Sequence, residues 1–523
     1  MKPVQTRRAF IQTGFAAAGA LALGPAFWRE ALAAPARPGN GPYGPPVGSP
    51  NELGLTLPEG FSSRLVAKGG APVVGTGYDF PFFPDGSATY PLDDGGWILA
   101  VNSETPIAPD APIPPLGGGS QNGGGASGLR FGPDGSVRSA YRILSGTNTN
   151  CAGGKTPWGT WMSCEEVDTG HVWECDPAGD RPAVEHPAMG AFKHEAVCVD
   201  PVGKRVYLTE DIGDGGFYRF TPNRYPDCSS GLLEIAFVDR YGVVHWNRVP
   251  DPSGATKPTR KQTGMTEFKR GEGTWFHSGI VYVATTSDNK IHAYDPITET
   301  IEVVYDQKAG DGPLNGVDNV TAAPSGDIYV CEDNGTNQID IGILTPEGEV
   351  ARFLTASGPM HEQSELTGVC FDPSGKRMYF GAQRSLGGPG ALIEVTGPFR
   401  ERQPAVPVGG ALRLKAHAAR TASIDRFRRG GMAIEVTSSR SAEVVVAVRA
   451  RIDGRKVTLA RTTAKLSAGQ PKRLRLTPGP SARARLKGRT NLAAYISATA
   501  KNKATGTSDS LSRDVRFVKS KTR

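Results

Sequence analysis

The sequence has little of what most metal-site and membrane readings need. Its seven cysteines show no C-x-x-C spacing, which argues against a zinc ribbon or a thioredoxin-like centre. Its eight histidines form no H-E-x-x-H or H-x-H pair, so a histidine-rich zinc site is disfavoured. Aromatic residues make up only 8% of the chain. The longest apolar run is N-terminal and broken by glycines, so no interior membrane-spanning helix is expected. An odd cysteine count leaves at least one thiol unpaired, although Cys175 and Cys228, in loops rich in aspartate and proline, could form a disulfide.

Turn residues, by contrast, are plentiful. Glycine (67) and proline (42) make up about a fifth of the 523 residues. That is turn-rich, yet short of the composition of a disordered linker. The net charge of +7 conceals a division along the chain. Residues 401–523 carry 28 bases and 7 acids, whereas residues 1–400 carry 31 bases and 45 acids. An acidic body with a basic tail suggests cations as partners of the first and a polyanionic surface as partner of the second.

The N-terminus reads as an export signal. Thr6-Arg7-Arg8-Ala9-Phe10-Ile11 has the twin-arginine pattern. A mildly apolar stretch from Phe15 to Phe27 follows, and Ala31-Leu32-Ala33 supplies a small-residue cleavage site. This route carries proteins already folded. Residues 1–34 are therefore expected to be removed, and residues 35–50 to form an extended mature N-terminus.

A repeat runs through residues 90–395. Clear copies occupy 194–211, 272–288, 318–333 and 365–383, and weaker ones 90–104 and 150–166. The clear copies have an acid, a short apolar strand, a glycine turn and a second apolar strand carrying a tyrosine, the pattern of a β-hairpin. The second-strand aromatics are Trp97, Trp161, Tyr207, Tyr282, Tyr329 and Tyr379. Six such units predict a six-bladed β-propeller over residues 51–400. In that fold the first strand of each blade lines a central channel. Glu195, Glu272, Asp318 and Glu365 would then ring one mouth, joined by the strand-end acids Glu165, Glu166, Glu210, Asp211, Glu332 and Asp333. Converging carboxylates repel one another and resist desolvation, so their recurrence in several blades points to bound cations. Carboxylates suit hard ions such as calcium, and a thiolate adds affinity for a transition metal. Cys164, beside Glu165 and Glu166, is the candidate thiolate, with packing as its plainer alternative. Cys331 holds the matching place in another blade.

These runs resemble the PhoX family of alkaline phosphatases over roughly residues 48–400. The likeness is carried by Asn150 to Glu166, Lys193-His-Glu-Ala196, Arg270-Gly-Glu-Gly273, Val317-Asp-Asn-Val320 and Ser364-Glu-Leu-Thr-Gly368. The resemblance implies twin-arginine export, a six-bladed propeller, and a cluster of ferric iron (Fe3+) and calcium (Ca2+) held by carboxylates and one cysteine. By that resemblance Cys164, Glu165, Glu195, Glu272, Asp318 and Glu365 would be metal ligands, and Lys155 and Arg270 would contact the phosphate of a phosphoester substrate. The last blade departs from the family, ending Phe-Gly-Ala-Gln-Arg384 where relatives commonly carry a His-Pro-Gly-type run. A phosphomonoester hydrolase is the leading expectation. A lactonase-like or non-catalytic cation-binding propeller is the alternative.

Beyond residue 409 the texture changes to seven short alternating segments without cysteine, which predicts a small immunoglobulin-like β-sandwich over 409–523. Its positive charge suits an anionic cell wall or membrane surface. Nucleic acid is not expected as a partner of an exported protein.

Overall fold

The computed structural model describes residues 36–108, 123–240, 242–296, 299–346, 348–401, 414–417, 421–438, 442–452, 454–466, 472–501 and 508–519. The expected export signal lies outside the described residues. The chain falls into two compact units, divided near residue 403.

The first unit is the predicted six-bladed propeller, built from six antiparallel sheets. The innermost strands of blades 1 to 6 are Pro84–Pro91, Asn150–Lys155, His194–Asp200, Gly271–His277, Val317–Ala322 and Leu366–Phe371. Each lies beside the innermost strands of the blades before and after it, and the sixth lies beside the first, so the ring is closed. Blade 6 has only three strands of its own, and Ser62–Lys68 completes it by pairing with Ala391–Thr396. Residues 35–50, expected as an extended linker, are tied to the propeller where Arg37–Pro38 pairs with Glu349–Ser357 of blade 5, and Leu55–Thr56 pairs with the same strand.

Alternation along the strands sends one set of apolar side chains to each side of a blade. The result is six separate hydrophobic clusters, one in each interface between neighbouring blades. The six repeated aromatics all fall on second strands and are all buried there. The sequence repeat was thus a record of inter-blade packing.

The second unit is a two-sheet β-sandwich with one core, including Val446, Ile434 and Phe517. One sheet pairs Leu414–His417, Met432–Ser438 and Lys472–Leu476. The other pairs Thr421–Ser423, Ser508–Val518, Asn491–Lys501, Ala442–Ile452 and Arg455–Leu466 in that order. Among the described residues this unit has eight strands and two short helices, Ile424–Gly430 and Pro480–Leu486, where seven strands were expected.

Candidate metal centre

One irregularity, repeated around the ring, builds the site. In every blade the pairing of the first two strands is interrupted by a bulge near the channel mouth. A bulge adds an unpaired residue and re-aims its side chain. In blades 1 to 5 the residues entering the bulge are Asp85, Cys151, Glu195, Glu272 and Asp318, and in blade 6 the bulge holds Gly368. Small residues follow several of them because adjacent inner strands nearly touch. A Cβ on Gly86 would lie 2.6 Å from the Ala152 Cα, and one on Gly273 would lie 2.6 Å from the Asn319 Cα.

A second tier comes from the ends of the second strands. Glu104, Glu166, Asp211, Thr286, Asp333 and Gln383 each follow the residue that pairs at the start of the innermost strand or lie just beyond the last pair. The two tiers interleave into four overlapping donor groups: Asp85–Glu104–Cys151, Cys151–Glu166–Glu195, Glu195–Glu272–Asp318 and Asp318–Asp333–Glu365. Within each group the ligand atoms lie within 4.8 Å of one another. Cys151, Glu195 and Asp318 are each shared by two groups, which is the arrangement bridging ligands require.

The electrostatics are severe. Both carboxylate oxygens of Glu195 are buried without a hydrogen-bond partner. Burial first, then the charges of Glu272 and Asp318, holds its carboxyl well above the usual range. Glu272, Asp318 and Glu365 are raised in the same way, chiefly by burial. Asp85 is pushed up to about 7 and Glu166 to about 8, again by burial first and neighbouring carboxylates second. Burial and the surrounding acids raise the Cys151 thiol as well. Bare, this ring keeps its protons, and cations must displace them, so metal uptake strengthens as pH rises. The donor set of carboxylates plus one thiol fits hard cations beside a transition metal, and the unpartnered oxygens of Glu195 fit the same conclusion.

Three cations stand at the rim. Arg270 places Nε 2.8 Å and Nη2 2.9 Å from the two oxygens of Asp211, with Nη2 also 3.0 Å from Glu272 Oε1. Lys193 Nζ lies 3.6 Å from Glu166. Arg384 Nη1 lies 2.5 Å from Glu365 Oε1.

The sequence profile of the family described as Alkaline phosphatase PhoX matches residues 123–302 and 293–385, together half of the chain. This chain belongs to the PhoX family. The PhoX match spans Cys151, Glu166, Glu195, Arg270, Glu272, Asp318, Asp333 and Glu365, and stops short of Asp85 and Glu104. No curated protein matches the chain. Among solved structures, a gluconolactonase from Xanthomonas campestris is 14% identical, covers 70% of this chain and 98% of its own, and has a TM-score of 0.35. A protein of unknown function from Bacteroides thetaiotaomicron is 10% identical, with coverage of 64% and 76% and a TM-score of 0.37. Likenesses this distant carry no functional argument, and the propeller rests on the strand pairing of the PhoX chain itself.

Four of the six ligands expected from sequence, Glu195, Glu272, Asp318 and Glu365, are in the ring, and so is Arg270. Other expectations need correcting. Cys164 is fully buried in the interface between blades 2 and 3, among Met162, Val172, Val197 and Leu208. Its place is taken by Cys151, from the innermost strand. Glu165 faces away from the channel and accepts from the Asn148 and His171 backbone N–H groups and from Trp173 Nε1. Alternation explains the exchange, since neighbours on a strand point oppositely. The same split separates Glu210 from Asp211 and Glu332 from Asp333. Glu210 bonds Tyr218 and Arg260, and Glu332 accepts from the Asn315 and Asp340 N–H groups. Lys155 lies four residues beyond Cys151 on an extended strand, about 13 Å away. Its ammonium donates to the Thr89 carbonyl and sits 4.8 Å from the centre of the Tyr90 ring. It packs toward the other end of the channel. All seven cysteines are free thiols, and Cys175 and Cys228 lie in different inter-blade clusters.

Asp85, Glu104 and Cys151 were the ligand candidates missed, along with the rim cations Lys193 and Arg384. A usable signal existed. An acid or cysteine followed by glycine, alanine or asparagine recurs as Asp85-Gly86, Cys151-Ala152, Glu195-Ala196, Glu272-Gly273 and Asp318-Asn319.

Proposed function

We propose that this PhoX-family chain is an exported, metal-dependent phosphomonoester hydrolase. Glu195 carries the reading: a carboxylate with both oxygens buried and unanswered, between two further acids, is stable only with cations beside it. Cys151, Glu166, Glu195, Glu272, Asp318, Asp333 and Glu365 would hold iron and calcium. Those ions, when bound, supply the positive charge and Lewis acidity that a phosphomonoester dianion needs on its oxygens.

The chain's own groups do the rest. Asp211 grips Arg270 through two hydrogen bonds, fixing the orientation of a guanidinium that is 38% exposed. A planar fork presented this way matches two phosphate oxygens. Lys193, 34% exposed, adds a second rim charge. Both charges sit where negative charge is redistributed over the phosphoryl oxygens and the leaving group in the transition state, which is where fixed cations lower the barrier.

Twin-arginine export accords with the cysteines. Six of the seven free thiols are buried, so a chain folded before crossing exposes little thiol to an oxidising compartment. The basic sandwich domain would retain the enzyme on an anionic wall or membrane surface. Its five-stranded sheet sets exposed Arg449, Arg451, Lys456, Arg461, Lys465 and Arg516 on one face through cross-strand register.

The test is element analysis and p-nitrophenyl phosphate turnover on protein from the export fraction. Bound iron and calcium with turnover abolished by chelation is the expected result. Metal-loaded protein that leaves the phosphoester untouched would refute the hydrolase reading.

A further inference from the structure

Blade 6 breaks the ring's rule twice. Its first strand carries Thr367 where the other blades carry Asp, Glu or Cys, and its strand end carries Gln383 where blades 1, 2, 3 and 5 carry Glu104, Glu166, Asp211 and Asp333. The corner between blades 6 and 1 is nonetheless full of acid, because Asp85, Glu104 and Glu365 all reach it.

All three of these acids are answered by the two consecutive residues Gln383 and Arg384. Gln383 Nε2 donates to Asp85 Oδ2 at 2.6 Å and to Glu104 Oε2 at 2.6 Å. The other Asp85 oxygen accepts from the Gly86 N–H at 2.6 Å. The Arg384 guanidinium lies 2.5 Å from Glu365 and 3.7 Å from Glu104, so it spans one acid of the first donor group and one of the last. Across the ring the Glu195 oxygens have no protein donor at all. The ring therefore has one acid, Glu195, that only cations can satisfy and, across from it, one corner that the chain satisfies itself.

We propose that Arg384, positioned beside Gln383, stands in for a metal ion at this corner, so that the ring takes up one divalent cation fewer than its carboxylates could hold. A guanidinium stays charged at every working pH and cannot be chelated away. The corner between Glu104 and Glu365 is then independent of metal supply, and the exchangeable ions are confined to the rest of the ring, from Cys151 round to Glu365. The inference rests on the cation-holding ring and not on phosphatase activity.

The test counts calcium bound per full-length chain, by equilibrium dialysis followed by element analysis. Arg384→Gln should bind one calcium more than wild type, Arg384→Lys the wild-type number, and Arg384→Gln with Glu104→Gln the wild-type number again. An unchanged count in Arg384→Gln protein with a native circular-dichroism spectrum overturns the proposal. A second arm does not depend on how that variant folds. Glu104→Gln alone should leave the wild-type count unchanged, since no ion uses that corner, and a count lowered by one overturns the proposal. Protein that binds no calcium in any form overturns both the inference and the ring. Loss of phosphatase turnover with these counts intact touches only the hydrolase reading.

Discussion

Exchanging each of two cysteines for serine separates a ligand from a packed side chain. Cys164 is fully buried between blades 2 and 3. Serine there puts a hydroxyl among apolar neighbours with nothing to bond, which costs about 1–3 kcal/mol. Unfolding of a domain this large responds by at most about 2–4 °C per kcal/mol. Cys164→Ser should therefore melt several degrees lower and keep its metal. Cys151 is shared by two of the four donor groups, and serine does not ionise at neutral pH. Loss of a supporting residue outside the ligand shell already costs about 10–100-fold in metal affinity, so loss of the thiolate should cost at least about 100-fold. Cys151→Ser should lose its transition metal while keeping a normal melt in the metal-free state. The assay is element analysis after gel filtration, with thermal melts with and without chelator. A Cys164→Ser protein that loses metal at an unchanged melting temperature, or a Cys151→Ser protein with its full complement, would refute the placement.

Other outcomes are equally specific. Metal-free protein should melt lower as pH rises from about 5 to 8. The folded ring retains protons on Asp85 up to about 7 and on Glu166 up to about 8, whereas the unfolded chain releases them near 4. Stability is thus lost as pH climbs through the folded values, and saturating calcium should abolish the decline. A metal-free melting temperature that rises over this range would contradict it. Arg270→Met should lower kcat/KM for p-nitrophenyl phosphate at least about tenfold, the loss of one charge-assisted contact. Lys155→Met should lower stability alone, and equal kinetic losses in both variants would return Lys155 to the substrate site. Deleting residues 405–523 should leave metal content and turnover intact but weaken retention on anionic vesicles or wall at low salt, and added salt should mimic the deletion. Equal retention of both forms would remove the adhesion role.

The propeller was legible because its packing repeats in sequence. Each blade buries an aromatic from its second strand in an interface with a neighbouring blade, so Trp97, Trp161, Tyr207, Tyr282, Tyr329 and Tyr379 mark the fold directly. The acids on first strands were legible for the same reason. What misled was side-chain direction. Cys164, Glu165 and Glu166 are consecutive, and a bulge or a strand end decides which of the three faces the channel. Bulges leave only a faint mark, a small residue after the re-aimed one. Lys155 failed on distance, because five residues of strand outrun the depth of the site. The corner held by Gln383 and Arg384 lay in a blade that keeps the packing repeat but departs from the acidic pattern, at Thr367 and Gln383.

Ring closure by Ser62–Lys68 also fixes an order of events. The strand that completes blade 6 is made before blade 1, while its partner, Ala391–Thr396, is made last of the propeller. A growing chain on the ribosome therefore holds an unclasped buckle until some 400 residues have been synthesised. Since the donors span Asp85 to Glu365 and come from all six blades, no chain shorter than the propeller can assemble them. Ion loading thus becomes a receipt for a finished propeller, issued only to one whose first and last blades have met.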